Sequence, residues 1–291
     1  MEKRKNGLYI IELLISYVIF GSIGIFVRNI SLSSALIAAI RGISGAGFIF
    51  IFMLISRKKI SAAEIKRNFL PLVISGLAIG FNWILLFEAY RFTSIATATL
   101  CYYMAPVFVV AASPLLLSER LSLKSVICIA VSLCGMFLVS NAALGKKTDI
   151  IGILFGLGAA LLYATAIICN KKMGEISSET RALTQLLTAG ITVLPYALFT
   201  TDLKSISLGA TAVILLITVG IIHTGLAYVL NLGSVAKVPA GTVAVLSYTD
   251  PIVAIVLEAV IDMKLPSVSV ILGAALILGA TAVSSLPSRK K

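Results

Sequence analysis

Ten stretches of mostly apolar residues, each about 20 long, follow one another along the chain with only short polar connections between them. They run Tyr9–Val27, Ser34–Ile55, Phe69–Tyr90, Ser94–Leu117, Leu123–Asn141, Ile150–Cys169, Glu179–Thr200, Leu208–Leu230, Val238–Val260 and Pro266–Leu286. A hydrocarbon slab about 30 Å thick needs about 20 residues at a helical rise of 1.5 Å. Inside such a slab backbone polar groups must be paired within the segment, so each stretch is expected to be a helix. The expected fold is an all-α membrane protein with ten transmembrane helices, and the short connections make neighbours antiparallel. Charged residues are only 12% of the chain and hydrophobic ones 59%, which excludes an ordinary water-soluble domain.

The net charge of +12 would suit a nucleic-acid partner, but the Lys and Arg residues sit in the short loops, where they set topology instead. With the N-terminus in the cytoplasm, 17 of the 24 fall on the inside and 6 on the outside. The remaining one, Arg41, lies within a span. The expected location is the plasma membrane, with both termini cytoplasmic and the lipid bilayer as the surrounding partner. The apolar run after Lys3-Arg4-Lys5 is long enough to stay a helix, and no small-residue cleavage site stands out beside it. Cys101, Cys128, Cys134 and Cys169 lie in apolar segments without metal-ligand spacing and read as packing residues. No metal and no other cofactor is expected.

The stretch Leu246 to Glu258 (L-S-Y-T-D-P-I-V-A-I-V-L-E) places a Tyr, an Asp-Pro pair and a Glu inside a span. A carboxylate at mid-bilayer costs about 2.5–3.5 kcal/mol even on the lenient insertion scale. The proline removes a backbone hydrogen bond and opens the helix toward a cavity. On one continuous helix Ser247, Asp250, Ala254 and Glu258 would share a narrow arc that faces protein rather than lipid. Tyr102 to Pro106 (Y-Y-M-A-P) reads as its counterpart. Sliding the second half back by 145 positions sets Pro251 on Pro106, Tyr248 on Tyr103 and Thr242 on Thr97. Two halves, residues 1–145 and 146–291, are therefore expected as five-helix repeats joined near Lys146-Lys147-Thr148-Asp149. Five is odd, so the repeats are inverted, a layout that puts a solute site near the midplane between them.

These residues resemble the EamA branch of the drug/metabolite transporter superfamily. The resemblance rests on Ala89 to Phe108 followed by Ser118 to Ser122, on the repeat at Gly241 to Val253, and on the arginine in Ala38 to Gly42. It departs at Ile261 to Leu265, and Glu258 is no part of the pattern. It implies a ten-helix solute carrier, and leaves open amino acids, nucleotide-linked metabolites, quaternary amines and drugs as the small-molecule solute.

Several side chains are candidates for the solute site. Arg41 reads as a carboxylate clamp or as a gate partner of Glu88 or Asp250, with a structural ion pair as the plain alternative. Asp250 and Glu258 could carry a coupling proton or attract a cation, and Asp250 could equally cap backbone groups freed by Pro251. Glu88 near Arg91 reads as an interfacial carboxylate with a possible gating part. Glu12 reads as a snorkelling side chain. His223, the only histidine, suits a proton relay or simple packing. Asn82, Trp83, Tyr102, Tyr103, Tyr163, Tyr228 and Tyr248 form an aromatic and polar set suited to an organic cation through cation–π contact. Gly152-x-x-x-Gly156 and Ala275-x-x-x-Gly279 read as close-packing faces, and Gly80, Gly220 and Gly225 as points of bending.

The leading functional expectation is a secondary transporter that exports an amino acid or related metabolite by alternating access, driven by a solute gradient or a proton. A carrier of an organic cation is the alternative. A membrane-embedded lipid-modifying enzyme is the distant one, because no catalytic cluster is visible. A non-transporting scaffold has no need of an inverted repeat. No phosphate-binding Gly-Lys loop supports an ATP-driven mechanism. The oligomeric state has no signature in the sequence.

Overall fold

The computed structural model describes residues 2–27, 29–93, 98, 101–118, 122–141, 150–202, 208–261 and 268–285. These residues are helical, with no strand among them. The helices are α1 (Glu2–Val27), α2 (Ser34–Ile55), α3 (Ala62–Arg67), α4 (Phe69–Phe92), α5 (Ala105–Leu116), α6 (Leu123–Asn141), α7 (Ile150–Lys172), α8 (Ser178–Thr200), α9 (Ala210–Val235), α10 (Ala240–Leu246), α11 (Thr249–Ile261) and α12 (Val268–Ser285). Among the described residues six, α1, α2, α4, α7, α8 and α9, are long and apolar enough to cross a membrane. Shorter apolar helices accompany them, among them α5 and parts of α6 and α12. The chain is a multi-pass membrane protein. Several apolar residues of α1, such as Leu8, Ile11, Ile15 and Val18, point away from the protein, as a lipid-facing surface requires.

In lipid, helices associate by close packing of small residues rather than by a hydrophobic drive between them. That is how α2 meets α8: a Cβ on Gly42 would lie 2.9 Å from the Cα of Gly190. Gly76 and Gly80 of α4 admit Thr188 and Thr192 of α8 in the same way, and Gly152 and Gly156 of α7 admit Thr93 and Cys101. Gly279 has open space around it, so only the first of the two expected glycine faces makes a tight contact. Beyond these, α4 packs on α7, α6 on α12, α5 on α7, and α1 on both α9 and α11.

Three expected spans are not regular helices. The ninth, read as continuous over Val238–Val260, is two helices, α10 and α11, with Ser247 and Tyr248 between them. The amide of Tyr248 turns back to Val245 O at 3.2 Å and that of Asp250 to Ser247 O at 3.4 Å. Pro251 then falls in the first turn of α11, where a missing N–H costs nothing. The break precedes Asp250, so Ser247 does not share its arc; its hydroxyl instead donates to Ala244 O at 2.8 Å. In the fourth, Met104 N bonds Cys101 O at 3.1 Å, and both Val107 N and Phe108 N turn to Met104 O. Pro106 has no amide to offer, so the Tyr103 carbonyl is left without a helical donor. The eighth, α9, contains a π-helical turn at Ile221–Leu226, set between Gly220 and the α-helix that resumes at Ala227. Several positions that entered the sequence argument, Arg28, Thr97, Glu119 to Leu121, Lys146 to Asp149 and Asp262 to Leu265, lie outside the described residues, as does the Glu258 side chain.

The Lys/Arg-rich end is drawn together by polar contacts between the segment 56–68 and the segment 173–179. Lys58 pairs with Glu179, Arg67 donates to the Glu175 carbonyl, Gly174 N donates to Asn68 Oδ1 at 2.8 Å, and Ser177 N donates to Glu64 Oε2 at 3.2 Å. At the opposite end Ser33 and Thr201 share a hydrogen bond, and Glu88 accepts from both Arg91 and Tyr196.

Candidate functional site

Arg41 stands two turns into α2, among buried neighbours and partly accessible itself. Its guanidinium carbon lies 4.6 Å from the centre of the Trp83 ring, and its Nε donates to Thr224 Oγ1 at 3.2 Å. The π turn makes that second contact possible. Its wider spiral sends the Thr224 hydroxyl to Val219 O, five residues back, at 2.9 Å, and leaves its oxygen turned to α2. Gly45 gives the clearance, since a Cβ there would meet Thr224 at 2.9 Å. Next to Thr224, His223 shares a hydrogen bond with Ser22 of α1 at 3.0 Å and packs on Phe26.

Asp250 opens α11, where the helix N-terminus favours a negative group. It is close enough to act electrostatically on Tyr17, Tyr102, Tyr103, Tyr163, Tyr228 and Arg41. Gly21 lets α1 come against it: a Cβ there would sit 2.4 Å from Asp250 O. Among the described residues no carboxylate reaches ion-pair distance of Arg41, and no side chain hydrogen-bonds the Asp250 carboxylate. The two charges thus sense each other without touching.

Aromatic rings fill the ground between them in two strips. Tyr163 stacks on Tyr102 at 5.7 Å, Tyr102 meets Tyr103 at 5.8 Å, and Tyr103 meets Tyr248 at 6.0 Å. Trp83 meets Tyr228 edge-on at 6.4 Å, and Tyr228 meets Phe20 at 5.2 Å. Arg41, Tyr102, Tyr103, Tyr163, Tyr228 and Asp250 are surrounded by helices on all sides yet keep accessible surface. That surface lies inside the bundle, among residues of α2, α7, α9, α11 and the interrupted fourth span, so these side chains leave space beside them rather than being sealed by packing. Toward the basic end, a cavity of about 20 Å³ continues below Tyr163 and Tyr228, between Asn170 and Asn231. It has room for one water.

The model of the EamA-like transporter family matches this chain twice, over residues 7–141 and 150–286. The chain belongs to the EamA-like transporter family. It is 28% identical over 98% of its length to "Uncharacterized transporter YxxF" of Bacillus subtilis, covering 91% of that protein. It is 26% identical over 78% of its length to "Aromatic amino acid exporter YddG" of Ancylobacter novellus, covering 80% of that protein. A solved crystal structure superposes with a TM-score of 0.85 over 96% of this chain and 98% of the other, at 18% identity, which shows a shared fold.

Within this EamA-like transporter, Arg41, Trp83, Tyr102, Tyr103, Tyr163, Tyr228 and Asp250 are near neighbours, linked by ring contacts and by electrostatic reach. Asn82 is buried beside Tyr102, and its amide donates to Ala159 O at 2.6 Å, tying α4 to α7. Tyr248 stands apart: it is wholly buried, and its hydroxyl donates to the Tyr103 carbonyl at 3.0 Å. His223 is buried between α1 and α9. Glu88 sits at the end opposite the basic loops, held by Arg91 at 3.0 Å and by the Tyr196 hydroxyl, and not beside Arg41. Glu12 accepts from Ser234 near the basic end. Thr224 and Phe20 were missing from the sequence reading. The paired glycines at 220 and 225 were the available signal for Thr224. Phe20 carried none, being one apolar ring in an apolar helix.

Proposed function

We propose that this transporter exports a zwitterionic amino acid with an aromatic or large apolar side chain across the cytoplasmic membrane, by alternating access, with both termini inside the cell. One observation carries the reading: the Arg41 guanidinium and the Asp250 carboxylate, neither ion-paired among the described residues, lie within electrostatic reach of each other and of the same tyrosines. An amino acid brings the missing partner for each, its carboxylate to Arg41 and its ammonium to Asp250. Two charge-assisted contacts would offset the cost of burying four charges. Tyr102, Tyr163, Tyr228 and Trp83 would receive the side chain by stacking. The exporter from Ancylobacter is named for aromatic amino acids, which agrees with a pocket of this kind.

The inverted-repeat architecture, with ten membrane passes in halves 1–145 and 146–291, belongs to the same proposal. Its support is the packing. Helix α1 lies on α9 and α11, while α7 lies on α4 and α5, the corresponding helices of the other half. The second helices α2 and α8 pair with each other, and so do the fifth helices α6 and α12. Alternating access then exchanges the tied basic end for the other. Proton coupling through Asp250 is part of the proposal, and Glu258 and Glu88 are the further candidates for gating.

The organic-cation reading is weaker because Arg41 already occupies the face of Trp83, the ring best suited to hold a cation. Proteoliposome counterflow tests both. Labelled phenylalanine is expected to exchange, phenethylamine and choline not, and Arg41→Gln and Asp250→Asn are each expected to weaken phenylalanine exchange sharply. Choline exchange by the wild-type protein, with phenylalanine not exchanged, would overturn the amino-acid reading in favour of the cation.

A further inference from the structure

At the Lys/Arg-rich end a second cavity opens to solvent, about 530 Å³, between the segment that joins α7 to α8 and the end of α9. Glu64, Glu175, Ser177, Arg181 and Lys237 supply its polar lining. Arg181 is the unusual member. It is 3% exposed, and its Nη1 donates to two helix-end carbonyls, Leu232 O at 2.9 Å and Asn170 O at 3.3 Å. Its Nε is buried without an acceptor, and none of the described residues accepts from Nη2. No carboxylate among them lies within ion-pair distance either. Glu64 and Glu175 are on the same wall, but neither carboxylate reaches Arg181: Glu64 accepts from the Ser177 amide, and Glu175 touches Arg67 only through its main-chain carbonyl. Arg181 also lies in the first turns of α8, where the helix end adds positive potential. A buried guanidinium left without an anion costs several kcal/mol, and carbonyl dipoles offset only part of that.

The position of Asn170 makes this more than a structural arginine. Its carbonyl is held by Arg181, and the residue also lines the 20 Å³ cavity beneath Tyr163 and Tyr228. Arg181, Asn170, and Tyr163 with Tyr228 therefore form one line of residues that links the lining of the open cavity to that of the small cavity and on to the aromatic cluster. Asn170 and Gln185 close that line with a reciprocal amide pair, at 3.1 and 3.4 Å, that Ser75 completes.

We infer that the cavity at Arg181 and Lys237 is a loading site for the carboxylate of the solute, occupied before the solute passes Asn170 toward Arg41. The inference rests on the transport reading above but adds a separate site. It requires a carboxylate only, whereas the central site requires an ammonium as well.

The test uses the full chain in phosphatidylcholine nanodiscs, so that no lipid headgroup carries a net negative charge. Equilibrium dialysis measures labelled phenylpropionate, which has the carboxylate alone, and phenethylamine, which has the ammonium alone. Phenylpropionate is expected to bind and phenethylamine not. The sole tryptophan, Trp83, lies against Arg41 at the proposed central site, and its fluorescence is expected to stay unchanged on phenylpropionate binding. Lys237→Gln, at an exposed position that leaves folding intact, weakens binding about threefold, as a rim charge does. Arg181→Gln weakens it at least about tenfold, the worth of a hydrogen bond to a charged group, and a melting curve checks that it folds. The inference is overturned if phenylpropionate binds equally to wild type and both variants, if it binds no better than phenethylamine, or if inorganic phosphate displaces it at lower concentration than phenylpropionate itself needs. Phenylalanine counterflow without phenylpropionate binding removes the loading site and leaves the transport reading. Phenylpropionate binding with the expected variant pattern, but no counterflow, removes the transport reading and leaves a carboxylate site.

Discussion

Tyr248 donates its hydroxyl to the main-chain carbonyl of Tyr103 across 145 positions of sequence. That carbonyl is the one the break before Pro106 deprives of an amide. Each interrupted helix is thereby steadied by the other, through the very residue that occupies the matching place in the second half. Removing the hydroxyl leaves a buried acceptor unpaired, at a cost of about 1–3 kcal/mol. Tyr248→Phe is expected to lower the melting temperature of the purified protein while leaving the phenylalanine concentration at half-maximal counterflow nearly unchanged. A normal melting curve with a large loss of affinity would make Tyr248 a solute contact instead.

Arg41 and Asp250 are expected to fail in different ways. Arg41→Gln removes charge-assisted hydrogen bonds worth about 1.5–3 kcal/mol, so it raises KM for phenylalanine by roughly 10- to 150-fold or takes it out of range. It also frees the Trp83 face. Choline competition, negligible in the wild type, is then expected to appear. Asp250→Asn removes the ammonium partner and, with it, the effect of an imposed pH gradient on uptake into liposomes. A gradient response that persists in Asp250→Asn assigns coupling elsewhere, with Glu258 the next carboxylate to change.

Gly21 and Gly24 make a paired control on one helix. A Cβ at position 21 would come 2.4 Å from Asp250 O, whereas at position 24 it would meet nothing within 4 Å. Gly21→Ala is expected to push α1 off the break and reduce both melting temperature and counterflow rate, an overpacking cost of about 1–3 kcal/mol. Gly24→Ala is expected to do neither. Equal behaviour of the two variants would mean that α1 does not bear on Asp250.

The ties at the basic end are unequal in weight. Lys58 with Glu179 is an exposed pair, worth about 0.2–1 kcal/mol. Asn68 is 3% exposed and engages both Glu64 O and Gly174 N. Hydrogen exchange of the amides in residues 173–177 is therefore expected to accelerate strongly in Asn68→Ala and only slightly in Lys58→Ala. The reverse order would show that the ion pair, not the buried amide, keeps this end shut.

What could be read from the sequence was set by how local the cause was. Helix type and approximate span ends follow from hydrophobic run length, a property of contiguous residues. Arg41, Asp250 and most of the tyrosines stood out because polar groups are costly at that depth. The exact breaks did not stand out. Pro106 and Pro251 announced irregularity, but the chain turns before each proline, at Tyr103–Met104 and Ser247–Tyr248, where backbone amides choose nearer carbonyls. Tyr248 carries the same chemistry as Tyr103, and only packing decides that Tyr103 keeps accessible surface and Tyr248 is sealed. Arg181 looked like one more loop charge for orientation. Its burial depends on helix ends contributed by α7 and α9, which no neighbouring residue announces.

The π turn at Ile221–Leu226 holds one residue more than the α-helix around it would need, so it behaves as a single-residue insertion preserved in the fold. Taking one residue out would heal the spiral and swing one flank by about 100° relative to the other. Thr224 would leave Arg41 and His223 would leave Ser22 in the same step, with every charged side chain of the protein still in place. A descendant of this chain shortened there by one codon would keep its apolar spans and its ion-bearing residues, and lose the grip that orients Arg41.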